Sequence, residues 1–105
     1  MERYKIRFLA TAESDLLSLY DYIAEQSGLD VAGHYIDRIE TACFSLEHSP
    51  ERGTRRDDIR PGLRTIGFER RVTIVFRVHG TYVVIVRIFY GGRDFEGVLR
   101  NTEDL

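Results

Sequence analysis

The apolar residues of this chain change their period twice, and that change limits its possible folds more than any other feature. Over residues 3–9, Tyr4, Ile6 and Phe8 alternate with Arg3, Lys5 and Arg7. A period of two is that of a half-buried strand, because successive side chains point to opposite faces of the pleat. From residue 11 the spacing lengthens. Ala12, Leu16, Leu19, Tyr20 and Ile23 share one face of a helix, and Ala32, Tyr35, Ile36, Ile39, Ala42, Cys43 and Leu46 share one face of a second. After Leu63 the period of two returns and holds to Tyr90. A strand, two amphipathic helices and then consecutive strands predict an α+β domain of order β-α-α-β-β-β over residues 1–105. The helices lie on one face of a mostly antiparallel sheet.

Local signals set the boundaries. Thr11 is placed to cap the first helix, with Glu13 and Asp15 in its first turn, where the helix dipole favours acids. Gly28 suits a left-handed stop, and Asp30 is a second cap candidate. A gap of about two residues implies an antiparallel helical hairpin. Gly33 costs the second helix up to about 1 kcal/mol against alanine. Ser49-Pro50 ends that helix. Residues 50–62 are polar and read as a loop, 63–66 as a strand, 67–70 as a turn, and 71–78 as a strand. His79-Gly80 reads as a hairpin turn and 81–90 as a long strand. There Val83, Ile85 and Phe89 oppose Tyr82, Val84, Val86, Ile88 and Tyr90. Apolar residues on both faces place this strand in the middle of the sheet. Gly91-Gly92 breaks it, and residues 93–99 form a short tail of about one helical turn.

Composition narrows the class. A chain of 105 residues buries about two-thirds of its unfolded surface, enough for a real core. Its single cysteine, Cys43, excludes an internal disulfide framework and a multi-cysteine metal site. It also fits a reducing cytoplasm. No cofactor or metal is expected. No apolar run approaches the roughly 20 residues of a membrane span, and the first residues lack the apolar core of a signal peptide.

The net charge of −2 hides a split. Residues 1–50 hold four basic and nine acidic residues, and residues 51–100 hold eleven arginines and six acids. The second half contains no lysine. Arginine offers a planar fork suited to carboxylate or phosphate. Either a solvated arginine-rich face or a grip for an acidic partner accounts for this. A general nucleic-acid binder would carry more positive charge.

In this order the motifs resemble the RelE/ParE toxin superfamily of bacterial type II toxin–antitoxin pairs, and within it the ParE branch. Leu46, Ser49-Pro50 and Gly53 resemble that family's approach to its basic loop. Gly62-Leu63-Arg64 resembles its entry to the first hairpin strand, and Ile74-Val75-Phe76-Arg77-Val78 its next strand. Val86-Arg87-Ile88-Phe89-Tyr90-Gly91-Gly92-Arg93-Asp94 resembles its C-terminal motif, with Tyr90 where many relatives carry histidine. The resemblance implies a toxin that binds DNA gyrase and blocks its cycle. It also implies a ParD-like ribbon-helix-helix antitoxin whose C-terminal segment folds onto the toxin, with DNA touched only through that antitoxin.

Two functions compete, with an inert binding module as the remaining reading. One is the non-enzymatic gyrase inhibitor. The other is a ribosome-dependent messenger-RNA nuclease of the RelE type, which needs a base, an acid and cations for the phosphorane. Arg64, Arg71, Arg87 and Tyr90 could supply cations and an acid. His34, His48 and His79 are poorly placed to serve as the base. The expected target-binding set is Arg87, Tyr90, Arg93, Phe95 and Leu99, with Val98 as a further apolar group. The expected antitoxin-binding set is Tyr20, Tyr35, Arg64, Arg71 and Arg77. A structural alternative pairs Arg87 with Asp94 or Glu96 and lets the tail cover the sheet edge.

Overall fold

The computed structural model describes residues 3–92 and 94–102. Its elements are β1 (Lys5–Phe8), α1 (Ala10–Ser27), α2 (Leu29–Phe44), a single 3-10 turn (Ser45–Glu47), β2 (Thr54–Arg55), β3 (Leu63–Phe68), β4 (Val72–His79), β5 (Tyr82–Tyr90) and α3 (Phe95–Arg100). The predicted order holds, with a two-residue strand and a short C-terminal helix added to it. The five strands form one sheet in the order β1-β5-β4-β3-β2. Only the β1–β5 pair is parallel.

The helical hairpin covers one face of this sheet. Ala12, Leu16 and Leu19 from α1 and Ile39 and Cys43 from α2 bury against Val72, Ile74, Phe76, Val83, Ile85 and Ile88. Burial pushes the Cys43 thiol up to about 12, so it stays a neutral thiol inside the core. The opposite face has its own smaller core. There α3 and the loop before β3 bring Leu99 and Ile59 onto Leu63, Val75, Val84, Val86 and Phe89. β5 is therefore buried on both sides, as expected of a central strand.

Several boundary expectations are corrected. Thr11 does not cap α1, which begins at Ala10 behind Leu9. Its hydroxyl instead donates to the Val86 carbonyl at 2.8 Å. Asp30 lies inside the first turn of α2, and one residue, Gly28, separates the helices. Gly28 has φ of 95°, and its amide closes the end of α1 on the Ala24 carbonyl. β3 continues through Gly67 and Phe68, because their partners on β4 are Thr73 and Val72. The β4–β5 turn is Gly80-Thr81, since His79 pairs with Tyr82.

The face assignment of β5 is also corrected. Val75 pairs with Arg87 but Phe76 pairs with Ile85, so β5 holds one extra residue, Val86. Such a bulge reverses the alternation beyond it. Val83, Ile85 and Ile88 reach the hairpin core, and Tyr90 packs against it, while Val84, Val86 and Phe89 reach the second core.

The charge division follows the layers more closely than the halves of the sequence. The five strands carry Lys5, Arg7, Arg55, Arg64, Arg77 and Arg87 and no acid. The two long helices carry seven acids against Arg38 alone.

Candidate interaction site

β1 ends at Phe8, opposite Ile85, so the rest of β5 has no neighbouring strand on that side. The start of α1 takes its place. The Leu9 amide donates to the Ile85 carbonyl at 3.0 Å, and Thr11 serves the Val86 carbonyl. The Ile88 amide donates to Asp15 at 2.8 Å. Side chains of the first helical turns thus satisfy backbone groups that an open edge would leave bare.

The same carboxylate holds Arg87. Nε and Nη2 of Arg87 donate to the two Asp15 oxygens at 2.8 and 3.0 Å, a bidentate pair with side chains 17% and 14% exposed. The Arg87 guanidinium also lies 4.8 Å from the centre of the Phe89 ring. Neither Asp94 nor Glu96 is its partner. Asp94 accepts the Gly97 amide at the start of α3, and Glu96 pairs with Arg56.

Beside this pair the end of β5 opens into a cleft of about 440 Å³ lined by Asp15, Ser18, Leu19, Tyr22, Arg71, Ile88, Tyr90 and Gly91. Tyr90 stands between Tyr22, at 6.0 Å between ring centres, and Tyr35, at 6.2 Å and nearly perpendicular. Tyr35 continues the row to Phe68 at 6.4 Å and lies under Arg38, which is held by Glu69. Burial, and then Tyr90 and Glu69, push the Tyr35 hydroxyl above its ordinary value, so it is a neutral donor at physiological pH. The Arg38 guanidinium holds the Glu69 carboxyl below the usual range. Arg71 is exposed and forms no ion pair among the described residues. Among the described residues the cleft therefore offers rings packed edge-on and tilted, an open cation and a neutralised Asp15–Arg87 floor. That combination suits an apolar or aromatic side chain flanked by an acid.

The structure gathers some expected residues and separates others. Arg87, Tyr90, Arg71 and Tyr35 meet at this end of β5, although they were expected in two different binding sets. Tyr20 lies elsewhere, in a groove with Phe8, Leu16, Leu17 and Ile36 between the helices. Arg64 donates to the Glu51 and Arg52 carbonyls and tethers the loop before β2. Arg77 faces the other side of the sheet between Leu63 and Val84, with its Nε buried and without a hydrogen bond among the described residues. Phe95 packs on Phe89 at 5.8 Å, and Leu99 is fully buried. Leu99, expected as an exposed anchor, already spends its side chain on the second core, because α3 folds back over the sheet. Arg93 lies outside the described residues.

Sequence reasoning missed Tyr22 and the partnership of Asp15. One signal was available: Asp15, Ser18 and Tyr22 fall at i, i+3 and i+7, a second stripe beside the apolar one.

A strand-bordered helical hairpin on a largely antiparallel five-stranded sheet is a fold shared with solved toxin–antitoxin structures. A solved structure described as a chromosomal ParDE toxin–antitoxin system from P. aeruginosa superimposes with a TM-score of 0.75 at 27% identity, over 85% of this chain and 97% of that one. The RelBE2 toxin–antitoxin complex of Mycobacterium tuberculosis shares the fold at a TM-score of 0.62 and 23% identity, over 89% and 97% of the two chains. Among curated proteins, Toxin ParE3 of Caulobacter vibrioides is 36% identical over 77 residues, 73% of this chain and 76% of that protein. The family described as ParE toxin of type II toxin-antitoxin system, parDE, matches residues 6–95. The chain belongs to this family and is a toxin of the ParE type.

Proposed function

We propose that the chain acts by binding DNA gyrase and stalling it with cleaved DNA, without catalysing a reaction itself. A ParD-like ribbon-helix-helix antitoxin keeps it silent, and the toxin touches DNA only through that antitoxin. Gyrase and antitoxin both place its action in the cytoplasm. The ParDE title of the P. aeruginosa neighbour supports a paired antitoxin. No described helix is long and apolar enough to cross a membrane.

The cleft beside Tyr90 carries the non-enzymatic reading. Metal-free RNA cleavage needs a base beside its acid and its cations. The residues lining the cleft include no histidine and no lysine. Asp15 is occupied by three donors, two from Arg87 and one from Ile88. Rings and an exposed cation make a binding surface.

A supercoiling assay with purified toxin and gyrase tests this. Added toxin should inhibit supercoiling and accumulate cleaved DNA. Replacing Tyr90 or Arg71 with alanine should weaken inhibition about tenfold, which is the loss of about 1.4 kcal/mol of binding. Codon-dependent cleavage of messenger RNA on translating ribosomes, with gyrase unaffected, would establish the nuclease instead.

A further inference from the structure

β1 is an edge of the sheet. The Lys5 amide donates to the Thr81 carbonyl at 2.9 Å and the Leu9 amide to that of Ile85 at 3.0 Å. With a strand period of two, Lys5, Arg7 and Leu9 present their amides to β5, while Tyr4, Ile6 and Phe8 present theirs outward. The Tyr4 amide is taken by the Glu47 carbonyl at 3.0 Å. No hydrogen bond reaches the outward amides of Ile6 and Phe8 among the described residues. A bare edge of this kind is a template for one more strand.

The two sides of that edge differ in chemistry. Ile6 and Phe8 point to the hairpin core. Next to Phe8 stand Phe44, 5.9 Å away ring to ring and 46% exposed, and Leu17, 64% exposed. Lys5 and Arg7 point to the opposite face and are exposed. The Arg7 guanidinium is steadied 4.7 Å over the Tyr82 ring. Neither cation pairs with an acid among the described residues, and no strand of the sheet carries an acid. On the hairpin side Glu13 and Glu40 rim the groove and would repel one.

We propose that the outer edge of β1 receives an extended segment of a partner protein in which acidic and apolar residues alternate. Its backbone continues the sheet past Ile6 and Phe8. Its apolar side chains meet Phe8, Phe44 and Leu17. Its carboxylates, two residues apart, meet Lys5 and Arg7, which are spaced about 6.6 Å along the strand. A nucleic acid could neutralise the two cations but could not complete the backbone ladder. The inference rests on the reading that a protein partner restrains the toxin, but its test requires neither antitoxin nor gyrase.

The test is titration of ¹⁵N-labelled protein with an eight-residue peptide alternating valine and glutamate. Controls are the same peptide with lysine for glutamate and a ten-residue thymidine oligonucleotide. The Ile6 and Phe8 amide signals should shift and exchange more slowly with the glutamate peptide alone. Affinity should fall at least tenfold in Lys5→Glu/Arg7→Glu and in Lys5→Ser/Arg7→Ser, and should fall in 0.5 M salt. Equal binding of the lysine peptide, protection confined to the helices, unchanged affinity in both double variants, oligonucleotide binding at Lys5 and Arg7, or no binding at millimolar peptide would each overturn the proposal. None of these outcomes would bear on gyrase inhibition.

Discussion

Asp15 accepts two hydrogen bonds from Arg87 and one from the Ile88 backbone, joining α1 to the part of β5 that β1 does not reach. Removing one partner of a half-buried pair leaves the other charged and unsatisfied. Asp15→Ala should therefore cost about 3 kcal/mol, near the lower end for buried pairs because both groups retain some exposure. Arg87→Met keeps most of the apolar stem and should cost less. The Asp15→Leu/Arg87→Met double variant should fall short of the summed single costs by about 1 kcal/mol or more, as groups in one network do not act independently. Urea unfolding of the four proteins measures this, and additive losses would show that the pair is idle. The carboxylate could be read from the sequence as a first-turn acid favoured by the dipole. Its actual partners lie 72 and 73 residues away, beyond the reach of any local pattern.

Among the elements, the β3–β4 hairpin closes on Glu69-Arg70, both in the left-handed region at φ of 48° and 66°. The loop is three residues long, 69–71, because Phe68 pairs with Val72, and glycine ordinarily supplies positive φ in such hairpin loops. Here the nearest glycine, Gly67, sits inside β3. That is why residues 67–70 looked like the turn, whereas Gly67 and Phe68 belong to β3 and Arg71 joins Glu69 and Arg70 in the loop. A non-glycine residue at positive φ costs about 1 kcal/mol or more. Arg70→Gly should recover about 1 kcal/mol and raise the melting temperature by several degrees. Glu69 is the wrong residue to change, because it holds Arg38 beside Tyr35. An unchanged or lower melting temperature in a thermal scan of Arg70→Gly would show that the turn is unstrained. β5 carries the same lesson. Its length and central place were legible from its apolar residues, but the bulge at Val86 was not, because a strand apolar on both faces has little alternation to interrupt.

At the scale of the molecule, the second core is closed by a charged clamp. Arg56, on the loop before β3, pairs with Asp58 at 2.9 Å and with Glu96 of α3, while Arg100 of α3 reaches Asp58 at 3.0 Å. The hydrogen bond from Arg56 is the main reason that the Asp58 carboxyl is held down at about 2, against an ordinary 3.8. A carboxyl with a depressed folded value stabilises the fold above its unfolded value, and that contribution is lost as the pH falls through the folded one. Asp57, lowered chiefly by the Gly62 amide, and Glu69, lowered by Arg38, act in the same direction. Stability should therefore decline between about pH 4 and pH 2. Asp58→Asn should be less stable than the parent at pH 7, and the difference should vanish near pH 2. The Asp58 side chain is half exposed in both of its pairs, so 0.5 M salt should shrink the effect. Chemical unfolding at pH 7, 4 and 2 measures it, and a difference that persists at pH 2 would remove Asp58 from the clamp.

The sequence by itself determined the element order, the helical hairpin, the central place of β5 and the ParE family, because each rests on residues close together in the chain or on a motif. The Arg55–Asp57 and Arg56–Asp58 ion pairs likewise join neighbours in the chain. Only the tertiary structure decided which groups meet. It brought Tyr22 and Tyr35 to Tyr90, gave Arg87 to Asp15, buried Leu99 and separated Arg64, Arg77 and Tyr20 from the cleft. It also moved Lys5 and Arg7 from an acidic half of the sequence into a wholly basic sheet, because β1 pairs with β5 across the whole helical hairpin. Periodicity reports the face on which a side chain stands. What stands opposite is set by pairing register and by where the chain crosses, and these are properties of the folded whole.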